Sequence, residues 1–180
     1  MKIRIGVMGS AADALPEGPG ATLREKAEGL GRAIASKDVV LLTGATTGLV
    51  HVAGQAAHRA RTLHIGISPG SNEGEHVEKY DLPTDACDAI IYTGFGLKGR
   101  NVVLVRSCDI VLFIAGSMGA LNEFTIAYDE GKIIGCLTQT GGAADEVARI
   151  IETFQKPTKA RIFYDDDPKR LIDRCVAEVR

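Results

Sequence analysis

The feature that most constrains this chain is a set of short apolar runs that lack polar alternation. Val39–Thr43 ("VVLLT"), Asp109–Ala115 ("DIVLFIA") and Ile133–Leu137 ("IIGCL") carry aliphatic or aromatic residues at odd and even positions alike. A strand with one face in water alternates, whereas a strand covered on both faces does not. Such runs therefore require layers on both sides of a sheet. Further runs at Lys2–Met8, Leu63–Ile67, Ala89–Thr93 and Arg161–Tyr164 read as additional strands.

Longer amphipathic stretches separate these runs. Thr22 and Glu25 have capping-box spacing and predict a helix from Thr22 to about Ser36. Helices are also expected over Leu49–Arg61, over the "LKGRNVVLVRSC" segment, from about Ala120 to Gly131, and over Ala143–Phe154. A last helix should start behind Asp167 as N-cap, with Pro168 at the first helical position. Ser68–Asp85, rich in turn residues and charge, reads as a long loop. Strict alternation of strand and helix predicts an α/β fold. The expected architecture is one doubly wound, mainly parallel sheet with helices on both faces, spanning residues 1–180 as a single domain.

Composition limits the functional classes. The formal net charge of -2 gives no electrostatic case for nucleic-acid binding. No apolar run is long enough to cross a bilayer, and "MKIRIGVMGS" lacks the apolar core of a signal peptide, so a cytoplasmic location is expected. The cysteines Cys87, Cys108, Cys136 and Cys175 form no C-x-x-C pair and have no zinc spacing, so no metal site is expected. His51 and His58 read as packing or surface residues of one helix, and Asp165–Asp167 as a solvated helix start.

In an open parallel sheet the strand-to-helix loops share one edge, and ligands bind there. Three of these loops are rich in small residues: "GSAAD" from Gly9, "GATTG" over Gly44–Gly48, and "GSMG" over Gly116–Gly119. Glycine lets the backbone approach a ligand, and each following helix offers free amides and a positive dipole end. Gly9, Ser10, Gly44, Thr46, Thr47, Gly48, Gly116, Ser117, Met118, Gly119, Ala120 and Asn122 are thus candidates for holding a phosphate or nucleotide. Ser71 is a further hydroxyl in reach of this reasoning. G-x-x-x-x-G-K-[ST] is absent, and no G-x-G-x-x-G follows the first strand, so neither a P-loop nor a dehydrogenase motif is present.

The blocks "GSAAD", "LLTGATTGLVHVAGQAA", "GISPGSN" and "GRNVVLVRSCDIVLFIAGSMGALNEFTIAYDEGKIIGCL" resemble, in order, those of the Lonely guy-like Rossmannoid family, once called lysine decarboxylase-like. Its best-known members are phosphoribohydrolases acting on cytokinin riboside 5′-monophosphates, and its relatives include molybdenum cofactor carrier proteins. The family motif P-G-G-x-G-T-x-x-E aligns with Ala115–Glu123, and the family's arginine aligns with Arg100. The resemblance thus implies Glu123 as the catalytic carboxylate and Arg100 as its partner. Ala115, Ser117 and Ala120 depart from the motif, and Asn101 stands where lysine is usual. No Schiff-base lysine is identifiable, and no resident cofactor is expected.

Two functions remain in view. One is a nucleoside 5′-monophosphate phosphoribohydrolase, in which Glu123 would stabilise the ribosyl cation and activate water. The other is a non-catalytic carrier or sensor of a nucleotide or of a phosphorylated cofactor such as molybdenum cofactor. Glu123 could instead be a first-turn acid that complements a helix dipole. Arg100, placed by the resemblance at a helix start, asks for a compensating anion. The expected partner is a small phosphorylated ligand, with self-association as a dimer or tetramer implied by the resemblance.

Overall fold

The computed structural model describes residues 1–11 and 19–179. Seven strands, β1 (Ile3–Gly9), β2 (Val39–Thr43), β3 (Leu63–Ser68), β4 (Ala89–Tyr92), β5 (Ile110–Ile114), β6 (Ile133–Leu137) and β7 (Arg161–Asp165), form one sheet. Its order is β4-β3-β2-β1-β5-β6-β7, and every neighbouring pair is parallel. Among the described residues five α-helices connect successive strands, α1 (Pro19–Ala35), α2 (Gly48–Arg59), α3 (Gly96–Arg106), α4 (Met118–Asp129) and α5 (Gly142–Phe154), and α6 (Pro168–Ala177) follows β7.

Side-chain alternation along the central strands divides the core into two layers. Ile110, Leu112 and Ile114 of β5 face α1, α2 and α6, where they pack with Leu30, Leu49, Ala53 and Leu171. Val111 and Phe113 face α3, α4 and α5 and pack with Leu104, Phe124, Ala127 and Val147. Every residue of β5 and β6 is buried, as strands without polar alternation must be. Phe113 and Phe124 meet edge to face at 5.8 Å between ring centroids, fixing α4 against β5.

Several boundaries differ from the sequence reading. α1 already begins at Pro19, so Thr22 sits inside the helix and does not cap it. The helix therefore starts on the proline itself, a usual first-turn position for that residue. Ala12 and Asp13 of the "GSAAD" loop lie outside the described residues. The Ser68–Asp85 segment is not wholly loop, since a π-helical turn covers Glu75–Lys79. Asn72 Oδ1 accepts from the Glu75 amide at 2.9 Å, and Ser71 N and Oγ both donate to Glu75, which ties the turn down locally. Asp167 does cap α6, accepting from Arg170 N at 2.7 Å, with Pro168 next to it.

Candidate functional site

Strands β2, β1 and β5 are adjacent, so the loops that follow them open on one edge of the sheet. The direction of winding reverses between β1 and β5, which is where ligands bind in open α/β sheets. Gly9 and Gly116 approach closely there: a Cβ on Gly116 would lie 3.2 Å from Gly9 Cα. Ser10 N donates to Ile114 O at 3.2 Å across the same gap. Gly116 has φ +94°, a conformation that favours glycine. Ala45 and Ala115, each next to a loop glycine, also adopt left-handed conformations, at φ 46° and 50°. Non-glycine residues held this way mark backbone whose shape is imposed by its surroundings.

The carbonyls of Ala115 and Gly116 accept from Ala144 N at 3.0 Å and Ala143 N at 2.8 Å, so this loop anchors the start of α5. Thr140 adds a donor–acceptor bridge, accepting from Ala115 N at 2.8 Å and donating to Leu137 O at 2.7 Å. The first amides of α4, like those of any helix, have no intrahelical acceptor. Ser117 is the N-cap residue of α4, but its side chain makes no cap hydrogen bond.

A cavity of about 180 Å³ opens between these loops. Of the residues singled out in the sequence, Gly9, Gly44, Thr46, Arg100, Gly119, Ala120 and Glu123 line it. Ser10, Thr47, Gly48, Gly116, Ser117, Met118 and Asn122 do not. Thr47 Oγ1 instead donates to Ala11 O at 2.5 Å, and Ser71 is engaged with Glu75. Met118 is 73% exposed at the first position of α4. Lys98, Asn101 and Leu97 also line the cavity, although the sequence reading assigned no role to Lys98 or Leu97. Their signal was a helical one: Leu97, Lys98 and Asn101 are spaced i, i+1 and i+4 on the helix that carries Arg100.

The charged centre of the cavity is the Arg100–Glu123 pair. Arg100 Nη1 lies 3.6 Å from Glu123 Oε1, and both side chains are less than one-tenth exposed. Glu123 is the sixth residue of α4, and no acid occupies the first turn, so its position is not that of a dipole-complementing acid. Arg100 is likewise the fifth residue of α3 and not a residue of its start. Its guanidinium lies directly over Gly44, where a Cβ would overlap Nη1, Cζ and Nη2. Glycine at 44 is therefore what admits the arginine.

Burial pushes the Glu123 carboxyl up to about 7, against the opposing pull of Arg100 and Lys98. Burial also lowers the Arg100 pKa, with Glu123 acting against it. Arg100 Nε is buried without a hydrogen-bond partner among the described residues. An orphaned charged donor at a cavity wall is costly unless a ligand supplies the acceptor. The Asn101 amide bridges to the same carboxyl. With its nitrogen turned to the acceptors, Asn101 donates to Leu97 O at 3.0 Å and to Glu123 Oε1 at 3.1 Å. Its other end lies 2.8 Å from the Asn122 side chain.

The remaining candidate groups lie elsewhere. His51 contacts Asp85 at 3.3 Å and His58 contacts Asp88 at 3.5 Å. The four cysteines are free, and no group of three or more metal-ligating side chains occurs among the described residues. A larger groove of about 430 Å³ runs between α4 and α5, but it is walled by Phe124, Tyr128, Ile150, Ile151 and Phe154 and lies away from the glycine loops.

A profile of the SLOG cluster4 family matches residues 2–172. The chain belongs to the SLOG cluster4 family. Its fold recurs in the crystal structure of the structural-genomics target TM1055, at TM-score 0.83 and 22% identity, covering 98% of this chain and 99% of that one. The molybdenum cofactor binding protein of the phototrophic bacterium Rippkaea orientalis is 29% identical, with TM-score 0.77 and coverage of 98% and 97% of the two chains. An uncharacterized protein of Archaeoglobus fulgidus is 32% identical over 108 residues, which are 60% of this chain and 66%, just under two thirds, of that protein. Among the described residues no helix is long and apolar enough to cross a membrane.

Proposed function

We propose that this SLOG cluster4 protein binds and carries a small phosphorylated ligand of the nucleotide or molybdenum-cofactor class. The observation that carries the reading is the buried Arg100 side chain, whose Nε lacks a protein acceptor at the wall of a cavity bordered by glycine loops. An oxyanion in the cavity would meet the Arg100 guanidinium that borders it and the free amides at the start of α4 together. The whole-chain similarity to a molybdenum cofactor binding protein supports a carrier role. The cavity, at about 180 Å³, is smaller than sites that enclose a drug-sized molecule, so it would seat the phosphate end and leave the rest of the ligand at the rim.

One observation favours a second reading as a phosphoribohydrolase. Glu123 lines the same cavity and is paired with Arg100, so a carboxylate stands where a ribosyl cation would develop. Ionised, it could stabilise that cation and accept a proton from water. Its elevated pKa would make activity rise as pH passes through about 7.

Two experiments separate the readings. Mass spectrometry of small molecules released from the purified protein should find a phosphorylated compound, and its absence from wild type prepared without phosphate buffers counts against carriage. Incubation with AMP should yield free base and ribose 5-phosphate only if the second reading holds. Product no greater than from Glu123→Ala eliminates it. Self-association belongs to the same proposal, with Phe95, Leu97 and Met118 exposed on this part of the surface, and sedimentation velocity would test it.

A further inference from the structure

The start of α4 has a second cation beside it. Lys98 Nζ lies where a Cβ on Gly119 would approach to 3.6 Å, over the first turn of α4. That turn presents unpaired amides and the positive end of the helix dipole, so an ammonium group there is repelled unless an anion lies between. Lys98 makes no salt bridge among the described residues; its charge acts on Glu123, the one acid lining the cavity, but that carboxyl is already engaged by Arg100 and bridged by Asn101. Independently, the nine-tenths buried Arg100 side chain borders the same cavity with Nε unpartnered. The walls thus offer two cations against one carboxylate, and the carboxylate is already shared.

We propose that Lys98 is the residue that captures the ligand's phosphate, closing the α4 amides over it from the α3 side, while Arg100 holds Glu123 and the inner edge of the anion. The inference rests on the phosphate-binding reading above and gives it a named specificity residue. A lysine ammonium is a compact point charge and does not impose the planar fork of arginine. Combined with a helix start, it suits a terminal phosphate monoester, which concentrates two charges on three oxygens. A phosphodiester, with one charge, would gain less. Asn101 is neutral, so Lys98 is the cavity-lining cation besides Arg100 among the described residues.

The test is calorimetric titration of the intact protein with AMP, with inorganic phosphate and with adenosine. Lys98 is exposed, so Lys98→Ala should fold as the wild type does, which its melting temperature will show. Loss of a charge-assisted contact should weaken AMP and phosphate binding by about tenfold or more. Adenosine binding should be unchanged, and Lys98→Arg should recover most of the loss. A purely structural role would instead depress AMP and adenosine together. Wild-type affinity for AMP in Lys98→Ala overturns this inference and leaves the phosphate site standing. Failure of the wild type itself to bind either AMP or inorganic phosphate overturns the phosphate-binding reading, and this inference with it.

Discussion

Arg100 presents its Nη1 to Glu123 Oε1 at 3.6 Å while its Nε, equally enclosed, has no acceptor among the described residues. The guanidinium is half-used. Burial raises the pKa of its partner, Glu123, to about 7, so that carboxyl is poised between its neutral and ionised forms near neutral pH. That arrangement is what the proposed anion site would complete.

Burial pushes the Glu123 carboxyl from its ordinary 4.5 up to about 7 in the folded chain. Between those values the native state holds a proton that the unfolded chain has released, so this group's contribution to stability falls as pH rises through the window. Glu123→Gln removes that loss. Relative to wild type, its stability should improve between about pH 5 and about pH 8 by about 1 kcal/mol or more, read by urea unfolding at each pH. A difference that is constant, or that moves the other way, would show that the carboxyl is ionised throughout.

His64 acts in the opposite sense. Its ring is buried between Thr43 Oγ1, at 2.8 Å, and Ala86 O, and burial pulls its pKa from 6.5 to about 4. As pH falls through that window the unfolded chain takes up a proton that the folded ring refuses, so stability is lost. His64→Gln should cost about 1–2 kcal/mol at neutral pH through lost hydrogen bonding, and that cost should shrink toward pH 5. The two groups offset one another between about pH 4.5 and 6.5, so wild type should show a flatter profile there than either variant. Guanidinium unfolding across the range is the check.

The strand runs and their order along the chain were legible because burial on both faces leaves a direct mark on sequence: all of Ile110–Ile114 and Ile133–Leu137 is buried. The glycine loops were legible for a similar local reason, since Gly116 needs its positive φ. The spatial order of strands was not, because it depends on which distant runs pair. Nor was the start of α1 at Pro19, where the capping-box pattern at Thr22 pointed to a later start. Lys98 escaped notice because its relation to Gly119 is a contact between two helices. The depth of Arg100 and Glu123, which sets their electrostatics, likewise arises only from packing.

Gly44→Ala tests the fit of the arginine. No unusual φ is required at 44, so the penalty is steric: the new methyl would strike the Arg100 guanidinium. The substitution should cost about 1–3 kcal/mol by chemical unfolding. In an Arg100→Ala background most of that cost should vanish, a coupling of about 1 kcal/mol or more. Additive effects would mean that the two residues do not share this space.

Gly116→Ala combines a left-handed backbone with a methyl pressed onto Ala120 Cβ, whereas Gly141→Ala has φ +80° and open space around the new methyl. Both should destabilise, by about 1–3 kcal/mol for the backbone strain alone, and Gly116→Ala should be the worse of the two. It should also weaken phosphate binding, which Gly141→Ala should leave intact. Equal melting temperatures for the two variants would remove the argument that Gly116 is held close to α4.

The most direct measurement is a crystal structure of the protein soaked with AMP. The phosphorus atom should lie at the first turn of α4, within hydrogen-bonding reach of the amides near Gly119 and facing Arg100, with the loop at Gly44–Gly48 opposite. Phosphate density confined to another place, such as the apolar groove between Phe124 and Phe154, or no density at a concentration that saturates binding in solution, would contradict the account.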